Sequence, residues 1–307
     1  MIWSWGSLIC LSALLVACAT PFDSASPTLS GHIAVDGSTA LQPLVSRAAE
    51  LFEKTNPQVH IQVDGGGSLT GLNDVTTRKV DIGNSDIYAD PATYPDPNLT
   101  DHLVCVIPFT MIVSSDVNVT NLSTQNIIDI FATGKITNWS QVGGPDLPVV
   151  PIARPATSGT RATFRRYVLG GRDELSSLLT IDSSQDVVAK VAQTPGAIGY
   201  LAASVLNTQV RPISINGYPA SQENIEAGHY TFWSYEHMYT LNAVNQANSA
   251  LVEAFLNFML SPQLQQQVTA LHYIPIANLK FPLLSSSSSV GMLRTPYFVE
   301  ERKGYSI

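Results

Sequence analysis

Between residues 31 and 86 the hydrophobic pattern alternates between two periods, and few folds satisfy that alternation. Ile33 and Val35 alternate as in a strand, and Thr39 to Thr55 then places Leu41, Leu44, Val45, Ala48, Leu51 and Phe52 at helical spacing until Asn56-Pro57 stops it. Val59, Ile61 and Val63 alternate again, Leu69 to Arg78 is a shorter helical pattern, and Val80 to Gly83 is a third strand. A β-α-β-α-β order at these lengths predicts a parallel sheet with right-handed crossovers. Every strand of such a sheet ends on the same edge, where open α/β sheets bind ligands. Gly37-Ser38-Thr39, Gly65-Gly66-Gly67-Ser68 and Asn84-Ser85-Asp86 each follow a strand, so the topology brings them together.

The theme recurs later. A helix over Gln125 to Thr133 and a strand over Leu147 to Ile152 lead directly into Arg154, and Ser158-Gly159-Thr160 opens a helix carrying Phe164, Tyr167 and Val168. A helix over Ser183 to Ala192, a Pro195-Gly196 turn and a strand over Ala197 to Tyr200 follow. A chain of 307 residues exceeds what one core usually organises, so two α/β lobes are expected. Tyr230 to Tyr239 is aromatic and extended, and helices over Asn248 to Leu260 and from Ser261-Pro262 to Leu271 bring the chain back to the first lobe. The expected division is 31–110 for lobe 1, 111–232 for lobe 2 and 233–284 for the return. Crossovers near Val106 to Ser114 and Thr231 to Leu241 would form a hinge, with the ligand in the cleft between lobes.

The four loop segments describe a cage for one tetrahedral oxyanion. Ser38-Thr39, Ser68 with Leu69, and Ser158 to Thr160 stand at predicted helix N-termini, which offer unpaired N–H groups and the positive end of the dipole. Glycine lets the backbone approach a ligand, and Ser or Thr adds a hydroxyl donor beside its own amide. Arg154 supplies a planar two-pronged cation. Asp86 is repulsive toward an anion unless that anion has a proton to donate, which favours phosphate over sulfate. Arsenate, protonated like phosphate, fits the same cage.

The rest of the chain narrows the setting. A net charge of −8 without a Lys/Arg cluster argues against nucleic-acid binding, while fixed backbone dipoles can hold an anion locally. Leu8 to Ala17 is apolar and ends in Leu15-Val16-Ala17-Cys18, which resembles a bacterial lipobox, although Met1 to Ser7 lacks the usual positive charge. Residues 1–17 are then a lipoprotein signal peptide and Cys18 the lipidated first residue of the mature chain. Residues 18–30 have tether composition, and 285–307 form a serine-rich peripheral tail. Cys105, inside Leu103-Val104-Cys105-Val106-Ile107, is expected to be a buried small hydrophobe.

These residues resemble the phosphate-binding subunits of bacterial ABC importers, the PstS-type members of the type II periplasmic-binding-protein fold. The resemblance spans roughly Gly31 to Ile276 and rests on Gly37-Ser38-Thr39-Ala40-Leu41-Gln42-Pro43-Leu44, Asp64-Gly65-Gly66-Gly67-Ser68, Asp81-Ile82-Gly83-Asn84-Ser85-Asp86, Arg154 with Ser158-Gly159-Thr160, Pro195 to Tyr200, and Phe232-Trp233. Leu69 stands where many members carry Gly or Ser. The resemblance implies a two-lobed α/β fold, each lobe a mostly parallel sheet flanked by helices. It implies phosphate contacts from Thr39, the Ala40 amide, Ser68, Asp86, Arg154, Ser158, Gly159 and Thr160, to which the cage reading adds Ser38. The implied partners are inorganic phosphate and ABC permease subunits with an ATPase, and the implied protein is a monomer without cofactor, metal or catalytic residues. A sensor or adhesive lipoprotein on the same fold is the alternative. A hydrolase using Ser158 or Ser68 is disfavoured, because there is no Gly-x-Ser-x-Gly elbow and no histidine falls beside either serine.

Overall fold

The structure, a computed structural model, describes Met1, residues 29–241 and residues 248–280. The expected signal peptide, Cys18, most of the tether and the 285–307 tail lie outside the described residues.

The strands are β1 (Gly31–Gly37), β2 (Val59–Val63), β3 (Ile82–Ser85), β4 (Leu99–Val113), β5 (Asn121–Leu122), β6 (Val150–Ala153), β7 (Leu179–Thr180), β8 (Ala197–Ala202), β9 (Arg211–Ile215) and β10 (Trp233–Leu241). The helices are α1 (Gln42–Thr55), α2 (Ser68–Thr76), α3 (Thr124–Phe131), α4 (Gly159–Tyr167), α5 (Ser184–Gln193), α6 (Gln222–Glu226), α7 (Ser249–Met259) and α8 (Pro262–Ala270). The strands hydrogen-bond in the order β2-β1-β3-β10-β4-β8-β6-β7, with β9 on β4 and β5 on β9.

One strand belongs to two half-sheets. Residues 99–108 of β4 pair with β10, residues 109–113 pair with β8 on one side, and residues 111–113 pair with β9 on the other. The parallel cores are β2-β1-β3 and β8-β6-β7. The strands that carry the chain between them break the parallel pattern: β10 is antiparallel to β3 and β4, and β4 is antiparallel to β8. Where the halves meet, Phe109 N donates to Phe232 O at 3.0 Å and the buried Tyr230 hydroxyl donates to Phe109 O at 2.7 Å.

Packing follows the sequence periods. Leu44, Val45, Ala48, Ala49 and Phe52 of α1 are buried with Ile33 and Val35 of β1 in one core, where Phe52 meets Phe255 of α7 edge-on at 5.5 Å. Phe164 stacks on Tyr200 at 4.1 Å and forms the corresponding centre of the second half with Phe131. Cys105 is fully buried, and Glu236 of β10 faces it across the ladder.

Several boundaries shift by one to three residues from the periodicity, β6 among them, which starts at Val150 rather than Leu147, and two of the shifts have clear local reasons. α1 starts at Gln42, after Thr39, because the Ser38 hydroxyl accepts the amides of Ala40 and Leu41, both at 3.0 Å, and holds that stretch as a turn. β3 starts at Ile82, after Val80, because Lys79 N and Val80 N still bond to Asp74 O at the end of α2.

α2 lies so close to the sheet that Gly71 admits no side chain: a Cβ there would stand 2.5 Å from Asn84 O and 2.9 Å from Gly37 Cα. Gly71→Ala gains about 1 kcal/mol in helix propensity but overpacks rigid backbone at about 1–3 kcal/mol. The expected net result is a lower urea midpoint, and an unchanged or raised midpoint would contradict this packing.

Candidate functional site

The ends of β1, β2 and β3 face the end of β6 across the cleft, and the four loop segments meet there. Ser38, Thr39, Ser68, Asp86, Arg154, Ser158 and Thr160 are all buried, although every one is polar or charged. Buried polar groups must be paired, and here they largely pair with one another.

Asp86 is the hub. One carboxylate oxygen accepts from the Ser38 hydroxyl, the other accepts from Thr160 Oγ1 at 3.0 Å, and its backbone amide donates to Ser68 Oγ at 2.8 Å. Ser234 of β10 donates its hydroxyl to the Asp86 carbonyl. Burial pushes the Asp86 carboxyl above its ordinary pKa, opposed by the Ser38 and Thr160 hydrogen bonds and by the Arg154 charge.

Arg154 is held from three directions. Its Nε donates to Ile181 O at 3.1 Å, Nη1 to Ser184 Oγ at 3.1 Å, and Nη2 to Asp182 O at 2.7 Å and Thr39 Oγ1 at 3.1 Å. Its backbone amide donates to the Tyr200 hydroxyl, which donates in turn to Glu174 Oε1 at 3.0 Å, and Arg161 pairs with that carboxyl at 2.6 Å. The guanidinium is thus fixed at both its fork and its root.

The remaining expected residues have particular placements. The Ala40 amide bonds to Ser38 Oγ. The Ser158 hydroxyl accepts the Arg161 amide at 3.2 Å as the N-cap of α4, so helix geometry gives the Gly159 and Thr160 amides no intrahelical acceptor. Gly159 is needed as glycine, since a Cβ would stand 2.2 Å from Ser68 Oγ and 2.8 Å from Asp86 Cβ. The Leu69 amide donates across the cleft to Thr157 O at 3.0 Å, a contact that its side chain does not obstruct.

Three participants carry no cage motif. Ser184 opens α5, and its amide and hydroxyl both reach toward Thr39, at 3.3 and 3.5 Å. The rule that found the other segments, a small hydroxyl residue opening a helix after a strand, also picks out Ser183-Ser184. Ser234 and Glu236 lie in a strand that returns from far along the chain, and only tertiary pairing reveals them. A cavity of about 450 Å³ between residues 86–91 and α4 reaches Asp86 and Ser234. Among the described residues no cluster of His, Cys, Asp and Glu is arranged to hold a metal, and no helix is long and apolar enough to cross a membrane.

Residues 23–263 match the family model of the PBP superfamily domain. The chain is 41% identical over 254 residues to the phosphate-binding protein PstS of Bacillus subtilis, covering 82% of this chain and 83% of that one. Its fold is similar to that of a substrate-binding protein of a putative phosphate ABC transporter from Clostridium perfringens, solved with bound phosphate, with a TM-score of 0.74, 26% identity and coverage of 80% of this chain and 100% of the other. An ABC-type phosphate transport receptor from Vibrio cholerae shares the fold at a TM-score of 0.63 and 23% identity, covering 79% of this chain and 99% of its own. The chain therefore belongs to the PBP superfamily and, within it, to the family of PstS phosphate-binding proteins.

Proposed function

We propose that this protein captures inorganic phosphate in the cleft between its two lobes and delivers it to an ABC importer, acting as a binding protein without catalysis. The observation that carries this reading is the setting of Asp86, a buried acceptor among converging donors. Ser38, Thr39, Ser68, Arg154, Ser158, Gly159, Thr160 and the Ala40 amide are the proposed contacts, joined by Ser184. The donor groups now paired with one another would turn to phosphate oxygens, and Asp86 would accept the proton that phosphate still carries. Sulfate brings no such proton near neutral pH, a penalty on the order of several kcal/mol for facing charges and an unsatisfied acceptor.

The lobes are proposed as residues 31–110 with 233–284, and 111–232, opening about β4 and β10. The similarity to the phosphate-binding protein PstS of Bacillus subtilis and to the phosphate-bound protein of Clostridium perfringens supports phosphate as the ligand. Residues 1–17 would be removed as a signal peptide, with Cys18 lipidated and residues 18–30 tethering a monomer outside the cytoplasmic membrane beside its permease and ATPase.

Calorimetric titration of the full-length protein, stripped of bound anion, is expected to give micromolar or tighter phosphate binding, about 8 kcal/mol or more, and no heat with sulfate. Binding of neither anion would refute the reading. Asp86→Asn is expected to admit sulfate, and continued exclusion of sulfate would remove the role given to this carboxylate. Arg154→Ala should weaken phosphate binding by about 2–5 kcal/mol, the range for truncating a buried charge partner, while Cys18→Ala should abolish incorporation of labelled palmitate.

A further inference from the structure

Glu236 is fully buried in β10, and neither of its carboxyl oxygens meets a hydrogen-bond donor in the protein. The antiparallel register of β3 and β10 pairs Tyr239 with Gly83, Met238 with Asn84 and His237 with Ser85. Continuing that register one residue past the end of β3 brings Asp86 opposite Glu236, the position from which side chains on one sheet face touch, and the two carboxyl groups lie close enough to interact directly. Ser234 ties this stretch together by bonding the Asp86 carbonyl.

Two buried carboxyls in contact cannot both ionise without a large penalty, so the pair keeps one proton. The surroundings decide where it resides. Asp86 has Ser38 and Thr160 as donors and the Arg154 charge nearby. Glu236 faces Asp86 from the end of β3, Cys105 from β4 and Tyr273 from beyond α8. Burial pushes both the Cys105 thiol and the Tyr273 hydroxyl up, which keeps them neutral, and the Tyr273 hydroxyl already donates to Ala40 O. Only a proton of its own gives Glu236 a hydrogen bond, and Asp86 is the acceptor within reach.

We propose that Glu236 is a neutral carboxylic acid at physiological pH that donates its proton to Asp86, and that it is a positioning residue for phosphate selectivity. The role in selectivity rests on the phosphate-binding reading, while the protonation state does not. A neutral donor behind Asp86 keeps that carboxylate ionised and aimed at the cleft, without adding a second negative charge beside an anion. Burial and the Asp86 charge raise the Glu236 pKa well above the ordinary glutamate value, consistent with this geometry.

Infrared spectroscopy of the full-length protein with 13C-carboxyl glutamate tests the assignment. The expected result at neutral pH is a protonated-carboxyl C=O band that shifts with glutamate label, is insensitive to aspartate label, persists in Glu174→Gln and vanishes in Glu236→Gln. The Glu174 control is needed because that carboxyl is also buried. Absence of a glutamate-sensitive band, its loss in Glu174→Gln, or an aspartate-sensitive band in its place that persists in Asp36→Asn would overturn the proposal. The Asp36 control is needed because burial pushes that carboxyl up to about 7, and the labelling, Glu174 and Asp36 arms hold even if Glu236→Gln fails to fold.

Linkage supplies a second readout. The native state holds a proton on Glu236 that the unfolded chain releases, so stability falls as pH rises from the ordinary glutamate range toward the folded pKa. Glu236→Gln should flatten that decline, and parallel curves would count against a native proton. Phosphate titration of the same samples separates the two readings: Glu236→Leu should bind about tenfold more weakly, the effect of losing one hydrogen bond to a charged group, and Glu236→Gln, still a donor, within a few-fold of wild type. Equal losses in both variants would remove the positioning role. No phosphate binding by wild type, with the band present, would refute the proposed function and leave the protonation intact.

Discussion

The burial of Asp86 sets conditions that the surrounding structure has to meet. A carboxylate removed from water must be surrounded by donors, and its donors come from both halves: Ser38 from the end of β1 and Thr160 from α4 across the cleft. The same crossing recurs from Arg154 to Thr39 and from Leu69 to Thr157. Each bond requires the halves to stand together, so the polar seam that forms the site also closes the cleft. Gly159 sets how close they come, since its bare backbone lies where a Cβ would collide with Ser68.

Much of this was legible because the information was local. The period changes from Ile33 to Gly83 identified three strands and two helices, and parallel pairing then brought Ser38, Ser68 and Asp86 together without any knowledge of the rest. Arg154 was legible for the same reason, as the residue following a strand and preceding a helix cap. The burial of Cys105 followed from its apolar neighbours.

What stayed hidden depends on pairing over long distances. Glu236 sits among Trp233, Tyr235 and Tyr239, and nothing nearby in sequence tells whether a lone acid there faces solvent or another carboxyl. Its meaning comes from the β3–β10 register, between segments 148 residues apart at the Ser234 to Asp86 contact. Boundaries moved where side chains competed with backbone periodicity, as at Ser38, whose hydroxyl takes two amides and delays α1. Ser184 was missed although its local pattern matches the others, because its helix follows a two-residue strand, β7, that leaves almost no periodic trace.

The path of β4 and β10 has a consequence for how the chain acquires its structure. The second half-sheet draws on one continuous stretch, from the distal part of β4 through β9, so its contacts can form as soon as that stretch is available. The first half-sheet is interrupted: β3, paired with β1 on one side, lacks its second neighbour until β10 has been added, long after β1, β2 and β3 exist. Its β3 edge therefore stays unpaired while the other half condenses, and closing so long a loop is the slow kind of step in folding. A chain built this way is exposed to mispairing along β3 while the whole segment between β3 and β10 is being made, and the arrival of β10 ends that exposure.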